Sequence, residues 1–358
     1  MDHLSIRRFS VLLFFTFVCA SAFSEPLKIG FLHENPVGQG GWTLSHEIAR
    51  KKIDAHFGDL IETSAIDGIA PGVDAERILT KYARSGTDLI FATSFGFLNP
   101  TKKVAQRYKN VLFEHASGYL QSRNVGTYQV RGYQGRYLSG IAAGEVTKSN
   151  VIGYVGSFPV PEVIRGINAF TLGVRSVNPD ARIELIWTSS WSDPVKEIEA
   201  TDFVIAKGAD VVTHHTESAS VMSAATRKKV YSIGYQSNRA EAAKDYHLVS
   251  VVHNWVPIYQ DIIQSVLDNK WESKNRWYGI ESDATQLVDF GPVVKPATLD
   301  KIRGVSESIA NGSFDVFSGP IFDQNGGVRV EEGVTLSDAE LMKMEWLVQG
   351  VSGKLASE

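Results

Sequence analysis

A regular alternation of two kinds of segment between Lys28 and Asn269 constrains the fold of this chain more than any other feature. Runs of β-branched and aromatic residues, such as Asp88–Thr93, alternate with amphipathic segments, and no low-complexity linker interrupts them. Such alternation predicts parallel β-sheets with helices on both faces. The strand segments are almost continuously apolar, as expected of strands covered on both sides. We therefore predict an α/β fold built from doubly wound parallel sheets.

The length of 358 residues predicts more than one compact domain. The strands could form one large sheet or two smaller ones, and we favour two lobes joined by a hinge. A new βαβ series begins after Tyr128–Val130 and ends near Val252, which predicts crossovers near 130 and 252. Residues 25–129 plus about 253–290 would form the N-terminal lobe, and 130–252 plus about 291–358 the C-terminal lobe.

The amino terminus has the pattern of a cleavable signal peptide. Arg7 and Arg8 precede an apolar run from Val11 to Phe17, and small residues follow up to Ser24. We predict removal of residues 1–24 and a periplasmic location. Cys19 is the only cysteine, but the bulky Val18 before it does not fit a lipid-anchor motif. The mature chain would contain no cysteine, which excludes disulfides and thiolate metal sites.

Two tryptophans are predicted to lie in loops where ligands bind. In open α/β sheets, ligands bind outside the carboxyl ends of the strands. The glycine-rich loop after the first strand carries Trp42, and the loop after Arg182–Trp187 carries Trp191. A single indole there could simply fill the core. Two at equivalent places in successive lobes favour a clamp that stacks a planar ligand.

Further polar or aromatic residues follow other predicted strands. Each alone could merely cap a helix or bond to backbone, but together they could orient a ligand in an apolar cleft. The candidate binding residues besides Trp42 and Trp191 are Thr43, Ser94, Phe95, Ser117, Glu217, Gln236, Asn238 and His253.

The sequence offers little support for catalysis, cofactors or nucleic acid. The glycine-rich loop lacks the Gly-x-Gly-x-x-Gly spacing of dinucleotide sites. His214 and His215 are neighbours on a strand and would point to opposite faces, so they should not share a metal ion. No Gly-x-Ser-x-Gly nucleophile turn occurs, and a net charge of −4 gives no footprint for nucleic acid. We expect no enzyme activity, no cofactor and no metal.

Several motifs, taken in their order and spacing, make the segment from about Lys28 to Lys354 similar to a known family. It resembles the basic membrane protein family of ABC-transporter substrate-binding proteins, whose best-known members bind purine nucleosides. The resemblance implies a periplasmic-binding-protein type I fold and a base stacked between two aromatic rings, here Trp42 beside Thr43, and Trp191. The motifs are Tyr137–Gly144, Ile152–Gly156, Gly208–Val212, Ser232–Tyr235, Gly319–Asp323 and Gly350–Lys354.

Three departures from the family pattern bear on the ligand. Nucleoside binders hold the ribose with an aspartate and a lysine, where this chain has Gln236 and His253. A third family aspartate, which contacts the base, is replaced near Ser117. Charge-assisted bonds to sugar hydroxyls would therefore be lost. We predict a preference for a free purine base, adenine first, over a nucleoside.

The resemblance also implies partners. A permease and an ATPase in the inner membrane would receive the ligand from a monomeric binding protein. Purine nucleoside binding, or a sensor without a transport role, remain alternatives, because both would use the same fold.

Overall fold

The computed structural model describes residues 25–38 and 41–355. The predicted signal peptide, residues 1–24, and Cys19 lie outside these residues. Within the described part of the chain, no helix has both the length and the apolar character needed to traverse a bilayer.

The first of two large sheets is built mostly from the amino-terminal third of the chain. Its six strands are parallel and lie in the order β11-β5-β4-β3-β1-β2. They are β1 (Leu27–Leu32), β2 (Ile61–Ile66), β3 (Leu89–Ala92), β4 (Leu112–Ala116), β5 (Val125–Val130) and β11 (Asn275–Tyr278).

Helices cover both faces of this first sheet. Buried residues of α1 (Gly41–Phe57) and α9 (Val256–Leu267) form one cluster with the sheet. Buried residues of α2 (Val73–Arg84) and α3 (Leu98–Arg107) form another cluster. The two clusters explain why β3 is apolar at every position, since all of its side chains are buried.

The second sheet has seven strands in the order β12-β10-β9-β8-β6-β7-β15. All its pairings are parallel except that of β12 with β10. The strands are β6 (Val151–Gly156), β7 (Arg182–Trp187), β8 (Val211–His215), β9 (Tyr231–Gln236), β10 (His247–His253), β12 (Thr285–Val288) and β15 (Val351–Ser352).

The second sheet is also covered on both faces. One cluster contains buried residues of α4 (Gly132–Val146), α5 (Pro161–Val177) and α10 (Pro296–Ala310). A smaller cluster on the other face involves α6 (Pro194–Ala206) and α7 (Ser220–Arg227). Asp193 caps α6, because its carboxylate accepts a hydrogen bond from the Lys196 amide. The remaining short elements are α8 (Ala240–Ala243), β13 (Ile321–Phe322), β14 (Val328–Val330) and α11 (Asp338–Leu341).

The α/β prediction is confirmed, but one boundary between the lobes needs correction. Residues of about 253–290 were predicted to belong wholly to the N-terminal lobe. The strand β12 lies within that segment and pairs with β10 of the second sheet. This return strand is only four residues long and outside the βα alternation, so the pattern did not reveal it. We propose that the first lobe, built on the first sheet, ends near 280, with the chain crossing between lobes near 130, 254 and 280.

Candidate functional site

A cavity of about 350 Å³ lies where the carboxyl ends of strands from both sheets face each other. We call it the ligand cavity. The first lobe contributes Glu34, Trp42, Ser94, Phe95 and Ser117, and the second lobe, built on the second sheet, contributes Glu162, Trp191, His215, Glu217 and Gln236.

Trp42 is the second residue of α1 in the first lobe, and contacts within that lobe fix the orientation of its ring. Its indole nitrogen donates a hydrogen bond of 2.6 Å to the carbonyl oxygen of Thr93. The ring packs edge-on against Trp255 and His253, with centroid distances of 5.0 and 5.8 Å. Trp42 is half-buried and also lines the ligand cavity. It therefore packs in the core and faces the cavity, rather than serving the core alone.

Trp191 reaches the same cavity from the second lobe. It follows β7, is half-buried, and lies 5.0 Å from Phe158 between ring centroids. Its carbonyl oxygen accepts a hydrogen bond of 2.8 Å from the amide of Glu217, which ties two cavity-lining loops together. One tryptophan from each lobe thus borders a common space.

Two buried residues that line this cavity each have a polar side-chain atom without a protein partner. His215 and Gln236 are the last residues of β8 and β9. Neither Nδ1 of His215 nor Oε1 of Gln236 has a hydrogen-bond partner among the described residues. A buried polar atom without a partner costs about 1–3 kcal/mol. A ligand that supplied the missing partners would remove that cost.

The histidine at the cavity is neutral. Burial lowers the pKa of His215 well below its ordinary value, and the charge of Arg136 lowers it further. Arg136 is fully buried and its guanidinium lies 3.2 Å above the ring of Tyr235. It donates to the Thr213 hydroxyl at 2.9 Å and to the His214 carbonyl oxygen. A neutral imidazole offers one donor and one acceptor.

Glu217 joins the two lobes across the cavity. Its carboxyl oxygens accept hydrogen bonds from the Asn35 amide at 2.8 Å and the Thr43 hydroxyl at 3.2 Å. Its main-chain oxygen accepts a third, of 2.8 Å, from the Gly41 amide. A side chain at Gly41 would meet the Tyr235 carbonyl oxygen at 2.9 Å, so glycine permits this close approach. Burial raises the pKa of Glu217 to about 7.

Two further carboxyl groups border the cavity. Glu34 accepts a hydrogen bond from the Ser94 hydroxyl, and Glu162 lines the cavity beside Ser117. Burial raises the pKa of both carboxyl groups above the ordinary value of 4.5. Burial thus makes all three carboxyl groups at the cavity weaker acids than they are in water.

Seven of the predicted binding residues line the ligand cavity, and three do not. Thr43 lies behind Glu217 and bonds to its carboxylate. His253 is buried between Trp42 and Tyr235. Asn238 is also outside the cavity, because its side chain is exposed and bonds to Asp289 and to the Ala240 amide.

Sequence reasoning missed three residues of the cavity wall. Glu34 and His215 stand at the carboxyl ends of β1 and β8. Ligands bind outside the carboxyl ends of strands, so the reasoning that indicated Trp42 could also have identified these two residues. His215 was considered only as a metal ligand. Glu162 lies in the first turn of α5, after the loop that follows β6, and gave no comparable signal. In the described residues, no group of three histidine or carboxylate side chains could hold a metal ion.

Two α/β lobes with a cavity between them define a binding protein of the periplasmic-binding-protein type I architecture. Residues 27–318 match the family described as ABC transporter substrate-binding protein, PnrA-like. The chain belongs to this family, as its motifs predicted.

Two relatives are similar over nearly the whole chain. A purine-binding protein of Brucella abortus is 40% identical over 92% of this chain and 94% of its own length. A Haloferax volcanii protein, provisionally described as an ABC transporter glucose-binding protein, is 35% identical over 93% of this chain and 82% of its own length.

Solved structures of solute-binding proteins share the fold. One from an ABC transporter system of Conexibacter woesei has a TM-score of 0.68 at 20% identity, covering 81% of this chain and 98% of its own. Another, from Aeropyrum pernix, has a TM-score of 0.69 at 17% identity, covering 88% and 97%.

Proposed function

We propose that this protein captures a free purine base, adenine first, between Trp42 and Trp191. The observation that carries the proposal is a ligand cavity bordered by one tryptophan from each lobe, with buried polar atoms of His215 and Gln236 lacking protein partners. Stacking of a base on an aromatic ring contributes about 1–3 kcal/mol. The 40% identity to a purine-binding protein supports the ligand class.

The chemistry of Gln236 favours adenine among the purines. A glutamine amide can bond bidentately to the N6 amino group and N7 of adenine. Its oxygen, which lacks a protein partner, would accept from the amino group. Guanine and hypoxanthine carry a carbonyl oxygen at that position, which offers no hydrogen to this acceptor.

The surroundings of His253 argue against a nucleoside. The resemblance to nucleoside binders puts a ribose-binding lysine at this position. Here the imidazole is 2% exposed, does not line the ligand cavity, and burial lowers its pKa to about 3. It is therefore uncharged and cannot replace the ammonium group. A ribose would lose its charge-assisted partners.

The role that follows is transport. We propose a monomeric periplasmic protein that delivers the base to a permease and an ATPase in the inner membrane, with no catalytic step. Membership in a family of ABC transporter substrate-binding proteins supports this role. Uptake of labelled adenine by cells with and without the gene would distinguish transport from sensing.

We expect Gln236→Met to weaken adenine binding about tenfold, because the variant keeps the shape of the side chain and loses its amide bonds. Isothermal titration measures the change. Asn238→Leu is the control, since this nearby amide is exposed and lies outside the ligand cavity. Equal affinities for wild type and Gln236→Met would remove Gln236 from the proposed contacts.

A further inference from the structure

A second cavity adjoins the ligand cavity and shares part of its wall. It has Phe95, Ser117 and Glu162 in common with the ligand cavity. We call it the side compartment. We propose that the side compartment accepts an apolar substituent carried by the base in the ligand cavity, an inference that rests on the proposed purine function.

The partition between the two cavities is made of side chains from different lobes. Ser117 follows β4 of the first lobe, and Glu162 lies in the first turn of α5 of the second. Both side chains line both cavities, and the Ser117 hydroxyl moderates the rise in the pKa of Glu162 that burial causes. Side chains can change rotamer more easily than a strand or helix can move, so a ligand that spans both cavities would need to displace only side chains at this point.

The lining of the side compartment suits an apolar group. Phe95, Val160, Pro161 and Met342 supply apolar surface. Burying such surface against a hydrocarbon substituent is favourable, because apolar area is removed from water. Tyr119, also in the wall, is 57% exposed, so the compartment reaches the protein surface and a substituent need not be fully enclosed.

The cationic and amide groups of the side compartment are already engaged. Arg165 donates to the Leu341 carbonyl oxygen at 2.8 Å and to the Gln129 amide oxygen at 3.4 Å. Its guanidinium also lies 4.7 Å from the ring of Trp277. A sugar would have to break these contacts to satisfy its hydroxyl groups, whereas an alkyl or aryl group would leave them intact.

Titration with bases that carry a benzyl group tests the inference. Adenine carries no substituent. N6-benzyladenine and 9-benzyladenine have the same purine ring, with the benzyl group at opposite edges of it. We expect at least one benzyl derivative to bind wild-type protein within about tenfold of adenine. Val160→Phe, which fills the side compartment, should weaken that derivative at least about tenfold and adenine less than about twofold.

A matched control is Val195→Phe, the same substitution at an exposed position on α6, which should change neither affinity. If thermal unfolding reveals that Val160→Phe is misfolded, Met342→Trp fills the compartment from another side. If adenine binds and neither benzyl derivative does, the role proposed for the side compartment is wrong and the purine function stands. Equal binding of a derivative by wild type and the filled variant would overturn it as well. Failure of all three compounds would overturn both proposals.

Discussion

Replacing Trp42 and Trp191 together with alanine should abolish measurable binding of the base. Stacking on one aromatic side chain is worth about 1–3 kcal/mol, so each single replacement should weaken binding between about fivefold and 150-fold. The two rings come from different lobes, and their effects should combine roughly additively unless the lobes close differently. Isothermal titration of adenine into the wild type, both single variants and the double variant measures the losses.

Trp187→Ala is the matched control for the loss of an indole. This residue lies in β7, four positions before Trp191, and its ring nitrogen bonds to the Lys354 carbonyl oxygen rather than facing the ligand cavity. It should bind adenine like the wild type. Thermal unfolding checks each variant for folding. If folded Trp42 and Trp191 variants bind adenine as tightly as the wild type, the clamp is wrong.

Binding should weaken as the pH rises from about 5 to 8, because closure around the base takes up a proton at Glu217. In the closed arrangement burial raises the pKa of Glu217 from 4.5 to about 7, helped by the nearby charge of Glu34. In an open, hydrated cleft we expect the pKa to return towards 4.5. The closed form then binds more protons than the open form, so its advantage is complete below about 4.5 and is lost as the pH rises through 7. The upper limit of this effect is about 3 kcal/mol.

The comparison with Glu217→Gln isolates this residue from Glu34 and Glu162, which also have raised pKa values. An amide imitates the protonated carboxyl group and can still bond to Asn35 and Thr43. The variant should bind at pH 8 at least as tightly as wild type, with a flatter pH profile. Identical pH profiles for wild type and variant would contradict the role of Glu217.

Small-angle scattering should detect a smaller radius of gyration on ligand saturation, the compaction expected of hinge closure.

The fold was largely predictable because burial on both faces leaves a strong pattern in the sequence. The strand β7 begins and ends at the predicted residues, since an apolar run bounded by polar loops defines it. The short strands β11 and β12 were not predicted, because four residues are too few to form a recognisable apolar run. Their pairing depends on contacts with β5 and β10 that are distant in sequence.

The site was predictable in position and less so in detail. The carboxyl ends of strands indicated Trp42, Trp191 and Gln236, and all three line the cavity. Asn238 was predicted by the same rule, yet its side chain follows a tertiary partner, Asp289, that local sequence does not indicate. Strand-end position identifies where a residue stands, and packing decides where its side chain points.

The central claim is that the space between Trp42 and Trp191 holds a free purine base. Isothermal titration of the purified protein, freed of any copurified ligand, against adenine, guanine, hypoxanthine, adenosine and glucose tests it most directly. We expect adenine to bind most tightly, the other bases more weakly, and adenosine and glucose more weakly than any base. Tighter binding of adenosine than of every base would contradict the preference, and binding of glucose without any purine would contradict the ligand class.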